Sequence, residues 1–109
     1  MTAPITTHIL DTSKGQPASG VRVELIKGEL TIATGITNKD GRVAEWDREY
    51  QLESCTYTLN FSVAGYFAEH DEPSFYDDIQ IRFKVVSTTD HYHVPLLLNP
   101  FGYSTYRGS

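Results

Sequence analysis

The feature that most constrains this chain is apolar–polar alternation in short runs, broken by turn residues. Across residues 55–63, Cys55, Tyr57, Leu59, Phe61 and Val63 alternate with Thr56, Thr58, Asn60 and Ser62. Successive strand side chains point to opposite faces, so this run reads as a half-buried strand whose odd positions form a core face. The same period recurs in Val21-Arg22-Val23-Glu24-Leu25 and in Ile79-Gln80-Ile81-Arg82-Phe83-Lys84-Val85. Residues 4–10, 30–37, 92–98 and 103–106 complete a set of about eight strands. Between them, residues 11–20 read as a long loop and Lys27-Gly28-Glu29 as a turn. Asn38-Lys39-Asp40-Gly41 reads as a hairpin turn, because Asp-Gly accommodates the positive φ that tight hairpins require. Residues 65–70 are the single candidate for a short helix. Many short alternating strands with little helix point to an all-β fold, most naturally a β-sandwich.

Composition narrows the function classes. A chain of 109 residues, 39% hydrophobic and 12% aromatic, fits one domain spanning residues 1–109. It is near the lower end of comfortable burial, where oligomerisation helps. A net charge of -5 and a pI near 5.2 leave no basic stripe for phosphates, so no nucleic acid is expected as a partner. No basic patch for anionic lipid stands out, and the apolar run at residues 94–98, interrupted by Pro95, is far too short to span a bilayer, so no membrane is expected either. The first residues lack a charged region followed by an apolar stretch, and the last three are not a Ser-Lys-Leu address. The single cysteine, Cys55, cannot form an intrachain disulfide and fits a reducing compartment, so the expected location is cytoplasmic.

Few residues carry recognisable chemistry, and each has an ordinary reading. His91 and His93 fall on one strand face, with Tyr92 and Val94 on the other, and taken alone they read as solvated side chains. Pro95 cannot donate to a ladder and marks the strand there as irregular or at an edge. A zinc site needs three or four ligands with supporting spacing. No Cys pair or His-Glu-x-x-His is present, and a site from His8, His91 and His93 is the remaining metal reading, so no metal is expected. His8 shares a face with Thr6 and Leu10 and reads alone as structural; Arg42, just after Asp40-Gly41, reads alone as a rim residue. Cys55 sits in a core pattern, where a buried thiol is inert, and is set aside as a nucleophile. The last strand-like run, residues 101–106, is followed at once by Arg107, Gly108 and Ser109. Without a tail to fray, Arg107, Ser109 and the terminal carboxylate are expected to be held as part of a site.

Taken together, these residues occur in a recognisable order. Ile5-Thr6-Thr7-His8-Ile9-Leu10-Asp11 runs on through Gly15, Pro17, Ala18 and Val21, followed by Thr37-Asn38-Lys39-Asp40-Gly41-Arg42 and by the block from Tyr92-His93-Val94-Pro95 to Tyr106-Arg107-Gly108-Ser109. Over essentially its whole length the chain resembles the 5-hydroxyisourate hydrolase branch of the transthyretin family, and the Tyr-Arg-Gly-Ser ending is the most specific part. Asn99 and Phe101 depart mildly from the Ser and Tyr common there.

The resemblance implies a transthyretin-like two-sheet β-sandwich with one short helix, assembled as a homotetramer, a dimer of dimers. Its sites would lie in a central channel where the first and the last two strands face a neighbouring subunit. Such an assembly would cover the apolar bulk that Leu96, Leu97, Leu98, Phe101, Tyr103 and Tyr106 put on both faces of the C-terminal segment. The implied reaction, without a cofactor, is hydrolysis of the small molecule 5-hydroxyisourate in urate degradation, giving 2-oxo-4-hydroxy-4-carboxy-5-ureidoimidazoline. The resemblance assigns His8, Arg42, His93 and Ser109 as catalytic, with Tyr106 and Arg107 joining them in binding substrate. Two imidazoles near neutral pKa can divide base and acid roles, while an arginine stabilises developing negative charge. The rival reading is a small-ligand carrier, as in the thyroid-hormone-binding branch, which lacks that ending and the His8, Arg42 and His93 combination.

Overall fold

The structure, a computed structural model, describes residues 3–109. Its strands are β1 (Ile5–Asp11), β2 (Gln16–Pro17), β3 (Arg22–Lys27), β4 (Leu30–Ile36), β5 (Arg42–Val43), β6 (Thr56–Phe61), β7 (Ile79–Lys84), β8 (Tyr92–Asn99) and β9 (Gly102–Thr105), with one helix, α1 (Val63–Glu69). One sheet runs β2-β1-β8-β9, with β5 also paired to β1, and the other runs β4-β3-β6-β7. The chain is therefore an all-β sandwich with one short helix. Among the described residues no helix is long and apolar enough to cross a membrane.

Alternation produces the core between the sheets. Tyr57, Leu59 and Phe61 of β6 and Val23 and Leu25 of β3 are fully buried on one side. Ile5 and Ile9 of β1 and Leu96 and Leu98 of β8 meet them from the other. The pair β1–β8 is parallel, with Thr6 opposite His93 and His8 opposite Pro95, so the two ends of the chain lie side by side in the middle of one sheet.

Four local expectations are revised. Among the described residues the strands number nine, because β2 and β5 are two-residue elements; β2, in the expected loop, pairs with the end of β1. The helix starts at Val63 and ends at Glu69, since Val63, Tyr66 and Phe67 form a buried stripe at helical spacing that also satisfies the strand pattern at its first member. Asp40-Gly41 turns the chain without making a hairpin: β4 belongs to one sheet, whereas β5 crosses over and pairs with β1. Pro95 lies in a central strand and not at an edge. The irregularity is on the partner side, where the β8–β9 ladder stops at Leu96 and Thr105 and resumes only as a bridge between His93 and Gly108. Thr105 Oγ1 donates to the Pro95 carbonyl across the gap, at 2.7 Å.

Candidate active site

Strand β1 divides its side chains strictly. Ile5, Thr7, Ile9 and Asp11 point inward and are buried, while Thr6, His8 and Leu10 face the outer side of the sheet. Pairing then decides what gathers there. Across β5, His8 is opposite Arg42; across β8, Thr6 is opposite His93. Two histidines and an arginine, separated in sequence by up to 85 positions, thus share one face.

The turn before β5 fixes Arg42. Asn38 Oδ1 accepts hydrogen bonds from the backbone N–H groups of Asp40 at 2.9 Å and Arg42 at 3.1 Å. The Gly41 carbonyl accepts from Ile9 N–H at 2.8 Å. Gly41 has φ +75 and lies so close to the Ile9 carbonyl that a Cβ would collide with it, so both backbone and space require glycine. Beyond β5 the edge of β1 is held by side chains: Trp46 Nε1 donates to the Ile5 carbonyl at 2.8 Å, and Ile5 N–H donates to Tyr50 Oη at 3.2 Å.

His93 is held from two sides. Its Nδ1 lies 2.8 Å from Thr6 Oγ1, and its carbonyl accepts from Gly108 N–H at 2.8 Å. Gly108 packs flat on the imidazole; a Cβ there would come within 2.6 Å of His93 Cδ2. This contact carries Ser109 into a cleft of about 280 Å³, lined by Thr6, Arg42, His91, His93 and Ser109 among others.

The electrostatics favour neutral rings beside a fixed cation. Burial lowers the pKa of His8 from its ordinary value, and the Arg42 charge lowers it further. The pKa of His93 is lowered chiefly by burial and then by Arg42, His8 and His91. At neutral pH this face offers two uncharged imidazoles, each able to accept or donate a proton, and a guanidinium that attracts negative charge.

Residues 5–108 match the family described as HIUase/Transthyretin. The chain belongs to the HIUase/Transthyretin family. It is similar to the 5-hydroxyisourate hydrolase of Deinococcus radiodurans, at 45% identity over 113 residues, covering 96% of this chain and 95% of the relative. The solved 5-hydroxyisourate hydrolase of Klebsiella pneumoniae superposes with a TM-score of 0.87 at 40% identity, covering 96% of this chain and 92% of that one. A sea bream transthyretin solved in complex with thyroxine superposes equally well, with a TM-score of 0.89, at 28% identity and with 97% and 95% covered. The fold is therefore shared across both branches of the HIUase/Transthyretin family, and sequence identity is higher to the hydrolases.

Of the residues that the sequence nominated, Arg42, His93 and Ser109 line the cleft. His8 stands beside them, opposite Arg42 on the ladder, without lining the cleft itself. Tyr106 is 58% exposed and lies outside the lining. Arg107 also lies outside it: its Nη2 donates to the His91 carbonyl at 3.2 Å, and its guanidinium sits 4.6 Å from the centre of the Tyr92 ring. It braces the start of β8 from the side. Sequence reasoning passed over Thr6 and gave His91 only a metal role. Their signal is positional, since each precedes a nominated histidine by two residues, Thr6 within β1 and His91 at the entry to β8. Among the described residues no group of three or more His, Cys, Asp or Glu side chains converges as ion ligands. His91 and His93 are bridged instead by the Thr6 hydroxyl.

Proposed function

We propose that this chain is a 5-hydroxyisourate hydrolase, acting without a cofactor, with His8, Arg42, His93 and Ser109 as its catalytic residues. The observation that carries the reading is geometric: His93, Arg42 and Ser109 line one open cleft, and His8 stands opposite Arg42 on the adjacent strand. Names and identity of the hydrolase relatives supply the substrate class. Water adds to a ring acyl carbon of 5-hydroxyisourate, forming a carbon–oxygen bond and placing negative charge on the former carbonyl oxygen. One imidazole takes the proton that the water loses. The carbon–nitrogen bond then breaks as the carbonyl re-forms, the departing nitrogen gains a proton from the other imidazole while that ring takes one from solvent on its second nitrogen, and the product carboxylic acid ionises. Arg42 holds the oxygen-rich ring and stabilises the oxyanion. Ser109 orients water or substrate from the cleft lining, and Tyr106 and Arg107 contribute by shaping the C-terminal segment.

The working form we propose is a homotetramer in the cytoplasm, each chain being one domain over residues 1–109. Phe101 and Tyr106, at 66% and 58% exposure, and the open outer face of the β1–β8 pair are surfaces that a neighbouring copy would cover. A carrier role ranks below hydrolysis, because the transthyretin match is at 28% identity against 45% and 40% for hydrolases. The test adds purified protein to freshly made 5-hydroxyisourate and follows its ultraviolet decay. Acceleration well above the spontaneous rate, unchanged by a chelator, is expected; decay at the spontaneous rate would remove the assignment.

A further inference from the structure

Thr6 is 5% exposed, and among the described residues its hydroxyl is partnered by two imidazoles. Oγ1 lies 2.9 Å from His91 Nε2 and 2.8 Å from His93 Nδ1, and the two rings are near-parallel, with centroids 6.5 Å apart. A hydroxyl has one proton, so it can donate to only one of the two rings while accepting from the other. His93 therefore has two linked states. When Thr6 donates to His93 Nδ1, the neutral ring carries its proton on Nε2. When His93 Nδ1–H donates to Thr6, Nε2 is a free lone pair and Thr6 donates to His91 Nε2.

The surroundings of the two rings differ. His93 is half-buried, with Arg42 on β5, His8 on β1, His91 just before β8 and Ser109 at the cleft wall around it, and the first three all oppose a positive charge there. His91 is exposed, and Arg107 reaches its backbone carbonyl instead of its ring. His93 is the more enclosed of the two rings, and His91 is the one from which solvent can take a proton.

We propose that Thr6 is a positioning residue that acts as a one-proton relay, passing a proton from His93 Nδ1 to His91 Nε2 when His93 Nε2 takes one from the attacking water. This rests on the hydrolase reading above and assigns His93 as its base. Every proton is accounted for. Water gives a proton to His93 Nε2 as its oxygen bonds to carbon, the Nδ1 proton moves to Thr6 Oγ1, and the original hydroxyl proton moves to His91 Nε2. His93 ends neutral with Nε2–H, and the charge sits on exposed His91 until solvent removes the proton.

The test compares the native chain with Thr6→Val, Thr6→Ser, His91→Ala and the Thr6→Val/His91→Ala double variant. Valine keeps the β-branched shape while removing the hydroxyl, and serine keeps the hydroxyl. Thr6→Val should lower kcat about tenfold or more with KM nearly unchanged, and Thr6→Ser should stay within about threefold of native. The double variant should lose no more than Thr6→Val alone, because the three groups work as one unit. Ring-nitrogen NMR provides a readout independent of turnover: His91 Nε2 and His93 Nδ1 should titrate together in the native chain and separately in Thr6→Val. Independent titration in the native chain, native kcat in Thr6→Val, or additive losses in the double variant would overturn the relay. If the native chain fails to hydrolyse 5-hydroxyisourate at all, the proposed function fails, and the linked or separate titration of the two rings still decides whether Thr6 couples them.

Discussion

Strand β1 carries two polar clusters, one near each end and on opposite faces, and they are built to different rules. Asp11 points inward and is fully buried, yet its carboxylate is saturated. It accepts from Ser13 N–H at 3.0 Å, Ser13 Oγ at 2.6 Å and Tyr66 Oη at 2.7 Å, with Lys14 Nζ at 3.4 Å. These bonds tie the β1–β2 loop to α1. Three and five residues earlier, His8 and Thr6 face outward, and with Arg42 and His93 they form a cluster whose outer edge is open to a cleft. A buried charge whose bonding capacity is filled by the protein stabilises a fold; a half-buried set with capacity left over can bind and react.

The largest expected effect breaks the outer cluster. His8→Ala, Arg42→Ala and His93→Ala should each lower turnover of 5-hydroxyisourate about a hundredfold or more, the scale of a lost acid, base or oxyanion donor. Urea unfolding midpoints should stay close to native, since the His8 and Arg42 side chains fill no part of the core. Near-native turnover in any two of the three would undo the assignment.

The second effect breaks the inner cluster. Asp11→Ala strands the Tyr66 hydroxyl and the Ser13 groups and should cost about 2 kcal/mol of stability. The denaturant midpoint reads the loss, and turnover per folded molecule should be unchanged. The pH dependence has a definite sign. Burial alone would raise the Asp11 pKa, but hydrogen bonds from Ser13 and Tyr66 and the Lys14 charge outweigh it and hold it below its ordinary value. A carboxylate with a depressed folded pKa contributes stability that is present above its unfolded pKa and is lost as pH falls through the lower folded one. The native chain should therefore keep this contribution down to about pH 4, near the reference carboxylate value, and Asp11→Ala should lack that acid-side loss.

A smaller change concerns Ser109, which Gly108 carries into the cleft through its bond to the His93 carbonyl. Deleting Ser109, or adding residues after it, should reduce turnover about tenfold while leaving assembly and unfolding unaltered. The same extension placed before Met1 is the control; full activity with residues added after Ser109 would strike Ser109 from the site.

The smallest effect sharpens the electrostatic contrast. Because the His8 and His93 pKa values are lowered, the acid limb of kcat/KM should lie below the ordinary histidine value of about 6.5. Arg42 contributes to both shifts by disfavouring the charged ring, so the residual activity of Arg42→Gln should show its limb at higher pH than native. A limb that stays in place, or moves down, would mean that Arg42 does not act on the titrating base.

The two clusters also differ in how legible they were. The sandwich could be read from alternation, since Tyr57, Leu59 and Phe61 have no other way to share a face. The Asp40-Gly41 turn was visible, but not the sheet that β5 would join, because a turn fixes local direction whereas pairing with β1 depends on residues some 34 positions away. The outer cluster was legible only through the family pattern. Residue by residue, His8, Arg42 and His93 read as structural or solvated, and they gather on one face only through the pairing of β1 with β5 and, in parallel, with β8, a contact spanning 87 positions at Thr6 and His93. Thr6 and His91 escaped for the same reason, since a threonine in a strand carries no sign that its hydroxyl will bridge two rings.

The most direct measurement sets His93→Ala and Asp11→Ala side by side, reading turnover of fresh 5-hydroxyisourate per folded molecule and the urea midpoint on the same samples. The account predicts a crossed result: His93→Ala unfolds at nearly the native midpoint with turnover about a hundredfold down, and Asp11→Ala unfolds at a clearly lower midpoint with native turnover. Near-native turnover in His93→Ala, or an equal loss of turnover in fully folded Asp11→Ala, would contradict it.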